Sequence, residues 1–133
     1  MSARYAIGIG ARKDIDAREL TVLVREVAAR HGVDLQSATL ATIEARDDEP
    51  GLRDAARLLD MAVVFLSLEN LRARDRDVLT RSARVEEMFG VGSVAEAAAL
   101  AGAGSGSILL APRVAMTRLA CAIARAKDGG DRP

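Results

Sequence analysis

Two residue types that often carry chemistry are nearly absent: among 133 residues there is one cysteine, Cys121, and one histidine, His31. A lone thiol excludes a disulfide framework and any multi-thiolate metal site, and it fits a reducing compartment. An excess of one charge is missing too, because 19 Lys+Arg stand against 19 Asp+Glu. Zero net charge removes the long-range field with which a nucleic-acid binder collects phosphates. No apolar run approaches the ~20 residues of a membrane span, and residues 1–4 begin no secretory signal. Disorder is excluded, since half of the residues are hydrophobic and net charge is low. The expectation is a soluble cytoplasmic protein of one domain over residues 1–133, with neither metal nor cofactor. Lysine is scarce as well: only Lys13 and Lys127 break the run of arginines. Together with abundant alanine this reads as a GC-rich genome, so surplus arginine alone is no argument for anion binding.

What is present alternates between strand and helix signals. Residues 3–10 (ARYAIGIG) form a short apolar run ending in glycines, the mark of a buried strand. Asp16 with Glu19 makes a capping box, after which Leu20, Leu23, Val24, Val27 and Ala28 share one helical face. His31 falls in the last turn and Gly32 supplies the stop. Residues 38–43 (ATLATI) read as a second strand, followed by an acidic loop over 44–49. Pro50 suits the first position of a helix with Leu52, Ala55, Ala56 and Leu59 on its apolar face. Residues 62–66 (AVVFL) are a third strand by composition, and Ser67 opens a brief helical turn. The charged stretch 72–77 reads as exposed. Ser82 caps a short helix ending near Phe89, and Gly90-Val91-Gly92 breaks the chain. Ser93 with Glu96 forms a second capping box ahead of an alanine-rich helix over 94–101. Residues 107–111 (SILLA) are a fourth strand. Residues 118–126 (RLACAIARA) fit a helix at Leu119, Ala122 and Ile123 and a strand at Leu119, Cys121 and Ile123. A strand there would have to be antiparallel, since about six residues cannot make a parallel crossover. Residues 128–133 are a polar tail.

This order predicts a three-layer α/β/α protein with a mostly parallel sheet. Ligands of such sheets sit beyond the carboxyl ends of the strands. That rule gathers residues 8–13, 44–50, Ser67, 90–93 and, with a parallel fourth strand, Pro112 and Arg113. Gly8-Ile9-Gly10-Ala11-Arg12-Lys13 begins like a dinucleotide fingerprint, but Lys13 stands where the third glycine belongs. Two cations beside a helix start suit an anion, and a tight turn with solvated basic side chains is the plainer alternative. The acidic cluster around Asp47 and Asp48 does not match a calcium loop. Nucleophilic catalysis has little to work with: His31 lies ~22 Å down its helix from the strand ends, and Cys121 reads as a small core residue.

Several segments together resemble the CobE family, which is similar to the C-terminal domain of CbiG in cobalamin biosynthesis. The opening Gly-x-Gly-Cys-Arg-Arg/Lys is met by residues 8–13, and a central Ala-Thr-x-x-x-Lys-x-Asp-Glu-x-Gly-Leu by residues 41–52. Ser-Val-x-Glu-Ala-Ala-Ala-Leu is met by residues 93–100, and Ala-Pro-Arg/Lys with an alternating strand by Ala111-Pro112-Arg113 and residues 119–124. Ala11 replaces the usual cysteine, Arg46 a lysine and Ala120 a threonine. The resemblance implies that the closing element is a strand, giving about five strands with an antiparallel last one.

The resemblance also implies work on the corrin ring. The first reading is a protein that binds a precorrin intermediate or hands it on to other cobalamin-pathway enzymes. The alternative is a cobalt-precorrin-5A hydrolase that opens a lactone and releases acetaldehyde, with Glu49 as general base. Corrin precursors carry a rim of carboxylates, for which Gly8, Gly10, Arg12, Lys13, Ser67, Gly92, Ser93 and Arg113 are the candidate binding residues. A small nucleotide-binding regulator is disfavoured by the broken glycine fingerprint. The closing strand as an exposed edge would offer a route to a homodimer.

Overall fold

The computed structural model describes residues 4–127; the polar tail at 128–133 lies outside them, as does the expected start of the first strand. Five strands, β1 (Tyr5–Ala11), β2 (Ala38–Ile43), β3 (Val63–Leu66), β4 (Ile108–Ala115) and β5 (Leu119–Arg125), form one sheet in the order β3-β2-β1-β5-β4. The β3-β2-β1 portion is parallel, and β5 runs antiparallel to both β1 and β4. Being antiparallel to β5, β4 points the same way as β1, so the carboxyl ends of β1, β2, β3 and β4 share one end of the sheet.

Side-chain size decides which helix lies where. The inward alternation of β1 puts Ile7 and Ile9 on one face with Leu40, Cys121 and Ile123, against α1 (Ala17–Arg30) and α2 (Pro50–Leu59). The opposite face is built from small residues, with Gly8 and Gly10 beside Ala41, Ala122 and Ala124. There α5 (Val94–Ala103) packs so closely that a Cβ at Gly8 would run into Ala95 O and Ala99 N. Alanine on the helix and glycine on the strand are therefore two halves of one contact. Two shorter helices, α3 (Leu68–Arg72) and α4 (Ala83–Phe89), precede α5 in the chain, and Leu71 of α3 belongs to the same core cluster as α5.

The caps follow the sequence with one exception. Asp16 Oδ1 accepts from Arg18 N and Glu19 N at 2.9 and 3.0 Å, Pro50 is the first residue of α2, and Ser67 and Ser82 cap α3 and α4. Ser93 Oγ accepts from Glu96 N at 3.1 Å, but Glu96 does not complete the box. Its carboxylate turns to other segments instead.

Three further expectations are corrected. The closing strand is no edge: β5 lies between β1 and β4, so pairing of copies through it is closed off. The fourth strand does not stop before Pro112 but continues to Ala115. Register shifts around Ala111 let the proline sit on the edge without breaking a ladder. The 72–77 stretch is not simply exposed, because the Arg74 side chain is 17% exposed. Its Nη1 donates to Leu100 O, Gly104 O and Ser107 Oγ at 3.1, 3.1 and 2.8 Å, closing the carboxyl end of α5. Those partners are distant in sequence, so the charge run looked solvated.

Among the described residues no helix is long and apolar enough to cross a membrane.

Candidate functional site

A cleft of about 200 Å³ opens beyond the carboxyl ends of the strands, where the α/β rule places ligands. Its walls come from five segments: the end of β1, the end of β2, α4, the start of α5, and the β4–β5 hairpin. Among the described residues five arginines line it, namely Arg12, Arg46, Arg84, Arg113 and Arg118, and no aspartate or glutamate does. Between them lies an apolar surface of Ile43, Val85, Met88, Phe89, Val94 and Leu119.

The arginines divide into two groups. Arg46 Nε donates to Ala11 O at 2.9 Å, and Arg118 Nη2 donates to Lys13 O at 2.7 Å. These two lock the β1–α1 turn, where Asp14 takes a left-handed φ of 62°. The guanidinium groups of Arg12, Arg84 and Arg113 make no hydrogen bond or ion pair among the described residues. Three uncommitted cations in one hollow repel one another, so an anion that bridged them would stabilise the arrangement.

The backbone below is fixed by Glu96. This residue is fully buried on the first turn of α5. Its Oε1 accepts from Leu79 N and Thr80 N at 2.6 and 2.9 Å, and its Oε2 from Thr80 Oγ1 and Arg113 N at 2.7 and 2.9 Å. Burial pushes this carboxyl up, but the N–H groups of Arg113, Thr80 and Leu79 and the Thr80 hydroxyl outweigh it. The net displacement is below the ordinary glutamate range. One ionised side chain thus joins the strand that carries Arg113 to the loop that leads into α4.

Of the residues singled out from sequence, Gly10, Arg12, Ser93 and Arg113 line the cleft together. Five others do not. Gly8 faces α5; Lys13 is exposed and offers its carbonyl to Arg118; Ser67 Oγ caps Asn70 N. Gly92 N donates to Asp75 Oδ1 at 2.8 Å, and Glu49 Oε1 accepts from Ile15 N at 3.0 Å. Arg84, Arg118 and Met88 were not anticipated as cleft residues. Ala11, Arg46 and Ala120, where the chain departs from the resembled pattern, all line the cleft.

His31 sits at the carboxyl cap of α1. Cys121 is buried in β5, and burial pushes its thiol up to about 12. Among the described residues no group of three or more His, Cys, Asp or Glu could hold a metal ion.

Comparison with known proteins gives one consistent result. The family model described as "Cobalamin synthesis G C-terminus" matches residues 5–124. A protein named CobE from Sinorhizobium sp. is 29% identical over 125 residues, covering 92% of this chain and 80% of that protein. The crystal structure of CobE, a protein from the cobalamin (vitamin B12) biosynthetic pathway, superposes with a TM-score of 0.87 at 36% identity, covering 96% of this chain and 93% of the other. The cobalamin biosynthesis protein chiG from Agrobacterium tumefaciens does so with a TM-score of 0.70 at 31% identity, over 93% and 99%.

Proposed function

The chain belongs to the cobalamin synthesis G C-terminus family and is a protein of the cobalamin biosynthetic pathway; from that premise we propose that it binds a precorrin intermediate by its peripheral carboxylates and hands it on. The observation that carries this reading is the lining of the cleft: among the described residues, five arginines, no carboxylate, and an apolar surface with the charges. A ring-contracted tetrapyrrole has the complementary design, with a flat apolar body and a rim of acetate and propionate groups. Arg12, Arg84 and Arg113 supply the free donors, and each bidentate guanidinium–carboxylate pair is stronger than a neutral hydrogen bond. Arg46 and Arg118 keep the wall in place and add positive charge.

A cleft of about 200 Å³ is smaller than the roughly 300–1,000 Å³ of an enclosing small-molecule pocket. It therefore grips one edge of a macrocycle and leaves the remainder accessible, which suits a protein that passes its ligand to the next enzyme. The hydrolytic alternative requires a base at the ligand. Glu49, the carboxylate chosen for that role, is spent on Ile15 N and is not part of the lining, so no observation favours that reading.

The test mixes purified protein with a ring-contracted precorrin and follows the absorbance spectrum together with acetaldehyde. A spectral shift without acetaldehyde is expected. Arg12→Ala and Arg113→Ala should each weaken binding about 10- to 100-fold, the worth of one charge-assisted pair, with the circular dichroism spectrum unchanged. Catalytic release of acetaldehyde would replace this reading by the hydrolytic one, and the absence of any affinity would remove both.

A further inference from the structure

The walls of the cleft differ in how firmly they are held. Seven of the ten residues of α5 are buried, whereas none of the seven residues of α4 is. A helix of two turns is unstable alone, so α4 persists through contacts at its ends and through the half-buried Val85 and Phe89, which pack against the core cluster of α5. Ser82 N donates to Gly92 O at 2.8 Å, which closes residues 82–92 into a loop with a narrow neck. On the entry side Leu79 and Thr80 are fixed to Glu96; on the exit side Gly90 takes a φ of 74°, open to glycine at no steric cost.

Beyond those two apolar side chains, what holds α4 down is a polar clasp in contact with water. Arg81 Nη2 donates to the two Asp75 oxygens at 3.1 and 2.9 Å, Arg81 Nε to Glu86 at 3.1 Å, and Arg72 Nε to Phe89 O at 3.0 Å. The ion-paired side chains are between 28% and 45% exposed. Pairs of this kind contribute little against water.

On its inner face α4 presents Arg84, Val85, Met88 and Phe89 to the cleft. The other walls are the strand ends with the segments that follow them, the start of α5, and the β4–β5 hairpin, whose exposed turn at Met116, Thr117 and Arg118 is closed by Met116 N donating to Leu119 O at 2.7 Å. The gap is too small to enclose a tetrapyrrole, and α4 is the helical wall with no buried residue of its own, joined to the core by the half-buried Val85 and Phe89.

We propose that α4 is a hinged cover: it swings about the neck at Arg81–Gly92 to admit the ligand and closes Arg84 and Met88 over it. The identity of the ligand rests on the reading given above, but the hinge rests only on the packing.

Hydrogen–deuterium exchange on the full chain separates the two, with uroporphyrin, an octacarboxylate tetrapyrrole, as probe. In the free protein the amides of Glu86 to Gly90 should exchange at least ~100-fold faster than those of Ala97 to Ala103, by local opening. Asp75→Asn keeps an acceptor for Gly92 N but removes the charge. It should speed the first group a further two- to fivefold, about the worth of a surface ion pair, and leave the second unchanged. Saturating uroporphyrin should slow the first group tenfold or more. Equal exchange of the two groups, or equal acceleration of both by Asp75→Asn, would mean that α4 opens only with the core, and the hinge falls. Uroporphyrin that binds without protecting α4 overturns the cover. Uroporphyrin that fails to bind while α4 opens as described leaves the hinge standing and overturns the polycarboxylate reading.

Discussion

Replacing Glu96 by glutamine tests the joint beneath the cleft. The carboxylate receives four hydrogen bonds, three of them from backbone N–H groups. A glutamine placed in the same site can keep its oxygen toward Leu79 N and Thr80 N, and its NH2 can donate to Thr80 Oγ1 once that hydroxyl turns. It cannot accept from Arg113 N, so two donors face each other and one N–H is left unpaired at a cost of about 1–3 kcal/mol. The surviving bonds also lose the strength that a charged acceptor gives them. The sum is a loss of about 3 kcal/mol at neutral pH, or about 10 °C in Tm for a chain of this size.

The pH dependence has a definite sign. The folded carboxyl titrates below its ordinary value of 4.5, so the unfolded chain takes up this proton first. The stabilisation is complete above about pH 5 and is lost as pH falls through the folded value. Glutamine has no such proton, so the gap between the two proteins should narrow steadily as the pH falls from about 5 through the lowered value of the folded carboxyl. Urea unfolding followed by circular dichroism across that range measures it. A variant as stable as the parent near pH 6, or a gap that does not change on acidification, would refute the claim that an ionised Glu96 holds the cleft together.

Gly8→Ala should cost about 3 kcal/mol or prevent folding, because the new Cβ meets the backbone of α5 and not a movable side chain; thermal unfolding reports it. Cys121 should resist a thiol-specific disulfide reagent in the native protein and react at once in denaturant, since its thiol is buried and titrates at about 12. Arg74→Ala should destabilise by about 2–3 kcal/mol, measured by urea unfolding, by leaving the carbonyls at the end of α5 without their donor. Affinity for the precorrin should fall by an order of magnitude or more when salt rises from about 0.05 to 0.5 M, because guanidinium–carboxylate attraction is screened; a titration insensitive to salt would count against an arginine-held ligand.

The framework was legible where local chemistry is self-sufficient. Asp16, Pro50, Ser67 and Ser82 each start the helix that they cap. The alternation of isoleucine with glycine and alanine in β1 already encodes two faces of unequal depth. The position of the site was half legible. Gly10, Arg12, Ser93 and Arg113 follow from the strand-end rule, because those four segments end on regular elements. Arg84 and Arg118 were hidden because arginine is common throughout this chain, and which guanidinium turns inward is decided by the packing of an irregular segment. Glu96 was masked by a motif. Its spacing from Ser93 satisfies a capping box, and a box explains an acid without burying it. A second signal was there: the helix from Val94 to Ala103 has no polar face, and a single acid among alanines on such a helix has nowhere exposed to go.

Neutral overall charge and an all-cationic cleft are compatible because the charges are segregated in space. Four acids of the segments around the cleft are engaged elsewhere: Glu96 by backbone amides, Asp75 and Glu86 by Arg81, and Glu49 by Ile15 N. Composition therefore excludes a partner that must be gathered from afar by a broad field, but says nothing against an anion gripped at contact. Screening extends over roughly 8–10 Å in physiological salt, so beyond that distance the balance of 19 against 19 dominates. Inside it, only the arginines that line the hollow count. A ligand would meet no strong attraction until its carboxylates reach Arg12 and Arg113. Recognition then depends on how well the spacing of its acidic groups matches that of the guanidinium groups. Glu96 contributes to that spacing by tying the strand of Arg113 to the loop preceding α4.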